Sequence, residues 1–434
     1  CFAYAGQTDK TGEVGMIKYS LSAIAAAGLL AGTMATSASA ADLGGNCCAD
    51  LEERIAELEA TTARKGNRKV SLTVTGWVSS QIFWFDDGQE SDVYVVDNAT
   101  DLSSNFKFTG SATISPGWKA GYSLWIYTDT GDSLLANADN DNAGLGISVE
   151  NSYWFIQSDQ LGKLSVGRQS LGADNAALGT DFSGTLFPAN GVTFDGAFLH
   201  VINSATGART AEGSLWHNNA FWCEHAGVGI GNDCAGLRLN GVRYDTPTFA
   251  GFSLSASWGE DDYWDIAARY SGEFSGIKVS FATAYSESTD SGLSPTDSSY
   301  FQVGGMVKHL ASGLWVHGTY GVNEVDDPAV LNDIVGWYLK AGWSNKFNSL
   351  GATHFYGEYG KNDDAFDAGN TLEGAAILNT DATRYGVGIV QEIDAAAMSM
   401  WVKYRHHELD ATTAAGAFSA EDVDMFLAGA VIFY

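Results

Sequence analysis

From residue 70 to residue 434 apolar and polar side chains alternate with a period of two, as expected of strands whose two faces meet different surroundings. Trp118, Ala120, Tyr122, Leu124 and Ile126 share one face of a segment whose other face holds Lys119, Gly121, Ser123 and Trp125. Phe252, Leu254, Ala256 and Trp258 alternate with serines, and Trp337, Leu339, Ala341 and Trp343 alternate with Tyr338, Lys340 and Gly342. Met398, Met400, Val402 and Tyr404 alternate with Ser399, Trp401, Lys403 and Arg405. This pattern predicts sixteen strands, over 70–85, 104–114, 117–128, 146–158, 161–169, 236–246, 250–259, 263–271, 276–286, 299–309, 313–321, 335–344, 351–360, 383–392, 397–407 and 424–434.

The connections alternate as well. After every even strand the link is short, as at Ser115-Pro116 or Ile393 to Ala396; after most odd strands it is long, at 87–103, 129–145, 170–235, 287–298, 322–334, 361–382 and 408–423. The short odd link Glu260 to Asp262 breaks the pattern. All five prolines (116, 188, 247, 295 and 328) fall in connections, where no ladder hydrogen bond is lost. Strands of about 10 residues with short turns at one end and long loops at the other describe an all-β, 16-stranded antiparallel transmembrane β-barrel. Lipid cannot hydrogen-bond a sheet edge, so the sheet must close, with apolar residues outward and polar ones inward. An even strand number places both termini on the periplasmic side of a Gram-negative outer membrane.

The N-terminus predicts export. Met16-Ile17-Lys18 opens a short positive region, Leu21 to Leu30 is apolar, and Ala38-Ser39-Ala40 supplies a small-x-small cleavage pattern. Residues 1–15 read as an over-extended start, 16–40 as a signal peptide and 41–69 as a periplasmic helical segment ahead of the 70–434 barrel. Within 49–65, Leu51, Ile55 and Leu58 form a coiled-coil seam barely two heptads long, which self-associates or packs on the barrel.

Composition sharpens this picture. Only 17% of the 434 residues are charged, below the roughly 25% of an ordinary soluble domain. Against 52 acidic residues stand 23 Lys and Arg, a net charge of -29, which disfavours nucleic-acid binding through phosphate neutralisation. Five cysteines make no disulfide framework; Cys223 and Cys234 are candidates for a loop-stapling disulfide, with two free thiols as the alternative. Neither a metal site nor a cofactor is expected. Asp139 to Glu150 imitates a calcium loop, but Ala143 occupies a ligand position and strands flank it. Acidic loops such as Asp86 to Asp92 are placed to share divalent cations with lipopolysaccharide phosphates. His406-His407 beside Glu408 reads as rim residues, and the absence of GxSxG, HExxH or a phosphate loop argues against an enzyme.

Sixteen strands enclose a water-filled lumen. Lys107, Arg238, Arg269, Lys340, Arg384, Lys403 and Arg405 are assigned to the faces opposite their strands' apolar residues, as an inward basic wall. Arg168 shares parity with Leu164 and Val166, so it faces outward at the outer rim, snorkelling or meeting an acid of a neighbouring subunit. The 170–235 link is long enough to imply a function.

The run Gly162-Lys163-Leu164-Ser165-Val166-Gly167-Arg168-Gln169 resembles the fifth strand and third loop of general bacterial porins. Asn240 to Phe252, with Trp258-Gly259-Glu260-Asp261-Asp262 and the Leu51-Glu52-Glu53-Arg54-Ile55 helix, is similar to alphaproteobacterial porins of the Rhizobiales type. The resemblance covers 41–434 and implies a homotrimer of sixteen-stranded barrels whose third loop folds inward. It places Asp174, Asp181 and Asp195 at the pore constriction; the basic wall that would face them comes from the parity of the strands. Charged rings and pore width then set selectivity in a passive channel for ions and small hydrophilic solutes. The alternative is an occluded structural or adhesive barrel, whose inward charges would be paired or buried.

Overall fold

Nineteen antiparallel strands among the described residues form one sheet that closes on itself. The structure, a computed structural model, describes residues 69–434 except 99–101, 142–143, 191–194, 211–215, 217–237, 261, 290–296, 327–331 and 367–369. The expected signal peptide, the 49–65 helix and all five cysteines lie outside the described residues.

The strands are β1 (Thr73–Asp86), β2 (Ser91–Val96), β3 (Asn105–Ser115), β4 (Trp118–Asp129), β5 (Gly146–Ser158), β6 (Gly162–Ser170), β7 (Arg238–Asp245), β8 (Phe252–Gly259), β9 (Tyr263–Phe274) and β10 (Ile277–Ser288). They continue as β11 (Ser298–His309), β12 (Leu314–Val325), β13 (Ile334–Asn345), β14 (Thr353–Asp363), β15 (Thr371–Leu372), β16 (Ala375–Ile393), β17 (Met398–Thr413), β18 (Gly416–Ser419) and β19 (Val423–Phe433). β2 and β3 both pair with β1, and β18 and β19 both pair with β17, so each couple is one interrupted barrel strand. β15 only caps the loop end of β16. The barrel therefore has sixteen strands around its circumference. It closes where β1 pairs with β19, from Trp77 opposite Phe433 to Asp86 opposite Asp424. Gly76 and Tyr434 exchange both backbone hydrogen bonds at 3.0 Å at the foot of this seam.

Each of the sixteen expected strands overlaps its barrel counterpart in order. The structure adds what alternation did not mark: β2, β15, β18, and extensions that start β16 at Ala375 and carry β17 to Thr413. These pieces lie at the long-loop end, where neither face has to be apolar. Asn379, Thr380 and Asp381 are accordingly polar on both faces.

Alternation is plain on β17. Met400 and Val402 are 45% and 60% exposed, whereas Trp401, Lys403 and Arg405 are 3%, 3% and 0% exposed. Outward aromatics gather toward the strand ends. Trp343 packs on Phe347 at 4.8 Å beside the turns and donates its indole N–H to the Ser312 carbonyl at 2.8 Å. Trp84 packs on Phe426, and Trp337 on Tyr359, toward the loops. Such rings suit two interfacial belts, apolar in body and polar at one edge.

A charge placed on this outer face near mid-height tests the assignment. Val402→Arg is expected to destabilise the barrel by about 2–4 kcal/mol in urea titrations of protein folded into lipid vesicles, whereas Lys346→Gln, at a solvent-exposed turn, changes little.

Candidate functional site: a loop latched into the lumen

Past Ser170 the chain turns into the barrel, because polar groups and small residues on the inner wall receive its backbone. Gly172 N–H donates to Ser257 Oγ at 2.6 Å and Ala173 N–H to Asp265 Oδ2 at 2.9 Å. Gln302 accepts from Ala177 N–H at 2.8 Å and donates to the Ala173 carbonyl at 3.1 Å. A glycine at 304 makes room for this approach: a Cβ there would lie 2.4 Å from the Ala177 carbonyl oxygen. A single 3-10 turn, Leu178–Thr180, then brings Thr180 Oγ1 to within 3.1 Å of His317 Nε2.

Two ion pairs latch the loop farther round. Lys340 Nζ donates to Asp181 Oδ2 at 2.6 Å and to the Ala189 carbonyl at 2.5 Å, with both charged side chains fully buried. Burial pushes the Asp181 carboxyl up, but Lys340 and nearby groups override it and hold it at about 2. Lys403 Nζ donates to Asp195 Oδ2 at 2.5 Å and to the Pro188 carbonyl at 2.9 Å; Gln81 Nε2 donates to the other Asp195 oxygen at 2.6 Å. Burial raises the Asp195 carboxyl, and the Lys403 and Arg405 charges more than offset it. Between the latches Phe187 inserts among Trp77 at 5.7 Å, Trp401 at 6.0 Å and Phe433 at 6.1 Å. Beyond them Leu199 and Val201 join Phe83, Phe85, Met425 and Leu427 in a second apolar cluster toward the loop end.

Other inward charges are held by carboxylates, rings or carbonyls of the wall and loop. Arg405 donates to Glu358 Oε1 through Nε and NH2 at 2.9 and 2.7 Å, and Tyr338 OH donates to Glu358 Oε2 at 2.5 Å. Arg384 lies over the Tyr338 ring at 5.3 Å. Arg238 donates to Glu150 at 2.8 Å and covers Trp125 at 5.0 Å, while Lys107 sits over Trp125 at 4.7 Å. Arg269 donates to Ser255 Oγ at 3.0 Å and to the Gly172 carbonyl. Asp174, buried beside Arg238, Arg243 and Arg269, is pushed up to about 7 by burial, which these cations only partly offset.

The expected basic wall and the expected loop acids thus meet, but not across an open gap. Lys340 and Lys403 touch Asp181 and Asp195, and Arg405 is held by Glu358. Pairing is the physical reason: in a barrel interior covered by a loop, an unpaired charge would keep its desolvation cost. Arg238 corrects the parity assignment. It shares parity with Val242 and Tyr244, whose face is outward, yet it is buried against Glu150, which lies at a register shift between β4 and β5. Arg168 does face outward, and its Nε donates to the Val149 carbonyl at 3.2 Å. Cys223 and Cys234 lie outside the described residues. The calcium-like segment is used otherwise: Asp139 pairs with Arg209, and Glu150 with Arg238. His406 and His407 are not at a strand end, because β17 continues to Thr413; His406 faces outward against Tyr385 and Asp424, and His407 is buried.

Sequence reasoning missed Glu358, Arg243, Gln81 and the interior aromatics Trp77, Trp125, Tyr338 and Trp401. Period-two parity applied to acids as well as bases would have placed Glu358 inward, opposite Phe355 and Tyr359. The interior aromatics carry no such signal, since a ring fits either face.

The sequence profile of the Gram-negative porin family matches residues 22–420. No curated protein matches the chain. Among solved structures the fold is similar to OmpT, an outer membrane protein of Vibrio cholerae, at TM-score 0.50 with 12% identity, over 86% of this chain and 99% of that one. The loop L8 deletion mutant of that OmpT also gives TM-score 0.50, with 11% identity over 84% and 100%. A triple mutant of the Rhodopseudomonas blastica porin gives TM-score 0.46 with 14% identity over 84% and 100%.

Two outcomes follow from the latches. Lys340→Met leaves Asp181 buried without its cation and is expected to cost about 3–5 kcal/mol, read by urea unfolding, with residues 182–189 becoming protease-sensitive; adding Asp181→Asn recovers part of the loss. A raised native carboxyl favours folding at low pH and loses that contribution as pH climbs from its ordinary 3.8 toward about 7. Asp174→Asn should therefore flatten the pH dependence of hydrogen-exchange protection in 171–181 across that window.

Proposed function

The chain belongs to the Gram-negative porin family, and from that premise we propose that it is a passive diffusion channel of the outer membrane, narrowed by residues 171–190 and 195–203. The observation that carries this reading is the division of the inner wall. Loop anchors lie on Asp265, Gln302, Lys340, Lys403 and Gln81, on β9, β11, β13, β17 and β1. Lys107, Lys119 and Lys163, on β3, β4 and β6, retain solvent exposure. A solute moving down its gradient would pass between the latched loop and this wall, and no side chain is required to react with it.

The finer assignments belong to the same proposal. The protein is a trimer of the alphaproteobacterial type, with both barrel termini periplasmic, a signal peptide over 16–40 and a helical segment over 41–69. The outer faces of β1, β2 and β5 support the subunit contact: Val74, Val78, Ile82, Val93, Val95, Ile147 and Val149 are exposed and aliphatic, and Arg168 stands beside Val149 to meet a neighbour's acid. Outer-loop acids such as Asp86 and Asp92 share divalent cations with lipopolysaccharide.

One observation favours a second reading. Nearly all described residues of 171–203 are buried, and Arg238, Lys340, Lys403 and Arg405 are paired with carboxylates, as in an occluded barrel serving adhesion or anchoring. Single-channel recording of purified, unheated protein in a planar bilayer separates the two: the channel reading expects current steps that close in threes, and inserted barrels without current would establish occlusion instead.

A further inference from the structure

This inference rests on the diffusion-channel reading and concerns the wall of β3 to β6, where Lys107, Lys119 and Lys163 keep solvent exposure although the inward Trp125, Tyr127, Asn151 and Gln169 beside them are buried. Inward positions are Asn105 to Ser111 on β3, Lys119 to Tyr127 on β4, Asn151 to Gln157 on β5 and Lys163 to Gln169 on β6, taken at every second residue. They hold three lysines and no carboxylate. Lys119 stands opposite Gln157, which stands opposite Lys163, so two of the three occupy one row across three strands. Lys107 stands opposite Trp125 on the same face.

Two of these ammonium groups are held by rings. Lys163 Nζ lies 5.0 Å from the Phe155 ring and 5.2 Å from Tyr153, and Lys107 Nζ lies 4.7 Å from Trp125. A cation–π contact positions an ammonium without cancelling its charge, unlike a carboxylate. The carboxylate next in register to Lys163 is Asp245, and Arg243 already occupies it, with Nε at 2.9 and 3.1 Å and NH2 at 2.8 Å. The loop acids that would face the strip from across the lumen, Asp181 and Asp195, are buried against Lys340 and Lys403. The passage therefore runs beside uncompensated positive charge, whereas the chain as a whole carries -29. Charge on exposed outer loops is screened within about 8 Å at physiological ionic strength, and charge lining a narrow lumen is not.

We propose that Lys107, Lys119 and Lys163 make the channel anion-preferring and form a lane on which small multivalent oxyanions, with the chemistry of inorganic phosphate, pause as they cross. The class follows from point-charge donors spaced along a polar wall, which suit tetrahedral oxyanions better than bulky organic ions.

The test is the reversal potential of the purified protein in a potassium chloride gradient, repeated with inorganic phosphate added to one side. Expected are a chloride permeability above that of potassium, a reversible drop of chloride current with phosphate, and loss of both in Lys107→Glu/Lys163→Glu. The neutral Lys163→Gln should give an intermediate ratio. Unheated and heated gel mobility confirms that each variant is folded, and should the double variant not fold, the Lys163→Gln ratio decides. A potassium-preferring wild type, or a ratio that none of these changes moves, would overturn the lysine lane while leaving the channel intact. No current at all would remove both.

Discussion

Lipid offers a peptide group no hydrogen-bond partner, and everything else in this molecule depends on that. Each strand needs two neighbours, so the sheet has no edge, and a closed sheet has an outside and an inside. One residue's step along a strand then carries a side chain from hydrocarbon to lumen. Met400, Trp401, Val402 and Lys403 make the change three times over, with exposures that swing between 45%, 3%, 60% and 3%. The pairing of β1 with β19 is what makes those sides distinct.

The inside, once defined, has to be filled or wetted. In this barrel much of it is filled by the segment after β6, and the filling is chemically mixed. Phe187 is held by tryptophans, and the ammonium groups of Lys340 and Lys403 each bind a carboxylate and a carbonyl of the same loop. Buried ion pairs add little net stability, because desolvation consumes most of their attraction. Their geometry is demanding, however, and a lysine that must satisfy a carboxylate and a carbonyl together admits few loop paths. The latches thus fix where the loop lies more than how firmly the barrel holds.

The strands were legible in the sequence because lipid and water impose opposite demands on alternate residues, and the sixteen expected ranges recover the sixteen barrel strands in order. Legibility fails where those demands lapse. β2, β15 and β18 lie toward the loops, so their side chains carry no periodic mark. Parity found Lys340, Arg384, Lys403 and Arg405 on the inner face, but it is blind to partners: that Asp181 reaches Lys340 is a matter of where a long loop turns, set by Gln302, a glycine at 304 and Phe187. Arg238 was placed inward on the wrong ground, since it reaches Glu150 across a register shift that no local pattern announces. Gln81 went unread because parity was applied to charged side chains and not to amides.

The seam also has a kinetic meaning. Its contacts join residues very far apart along the chain, 320 positions between Gln81 and Trp401 and 329 between Asn105 and Tyr434. Loop-closure entropy makes such contacts the last to form. Until they do, two long strands present unpaired amides and apolar faces, ready to pair with any other chain. A cell that makes this protein must therefore escort an adhesive, unfinished ribbon to the membrane and let the final zipping happen there.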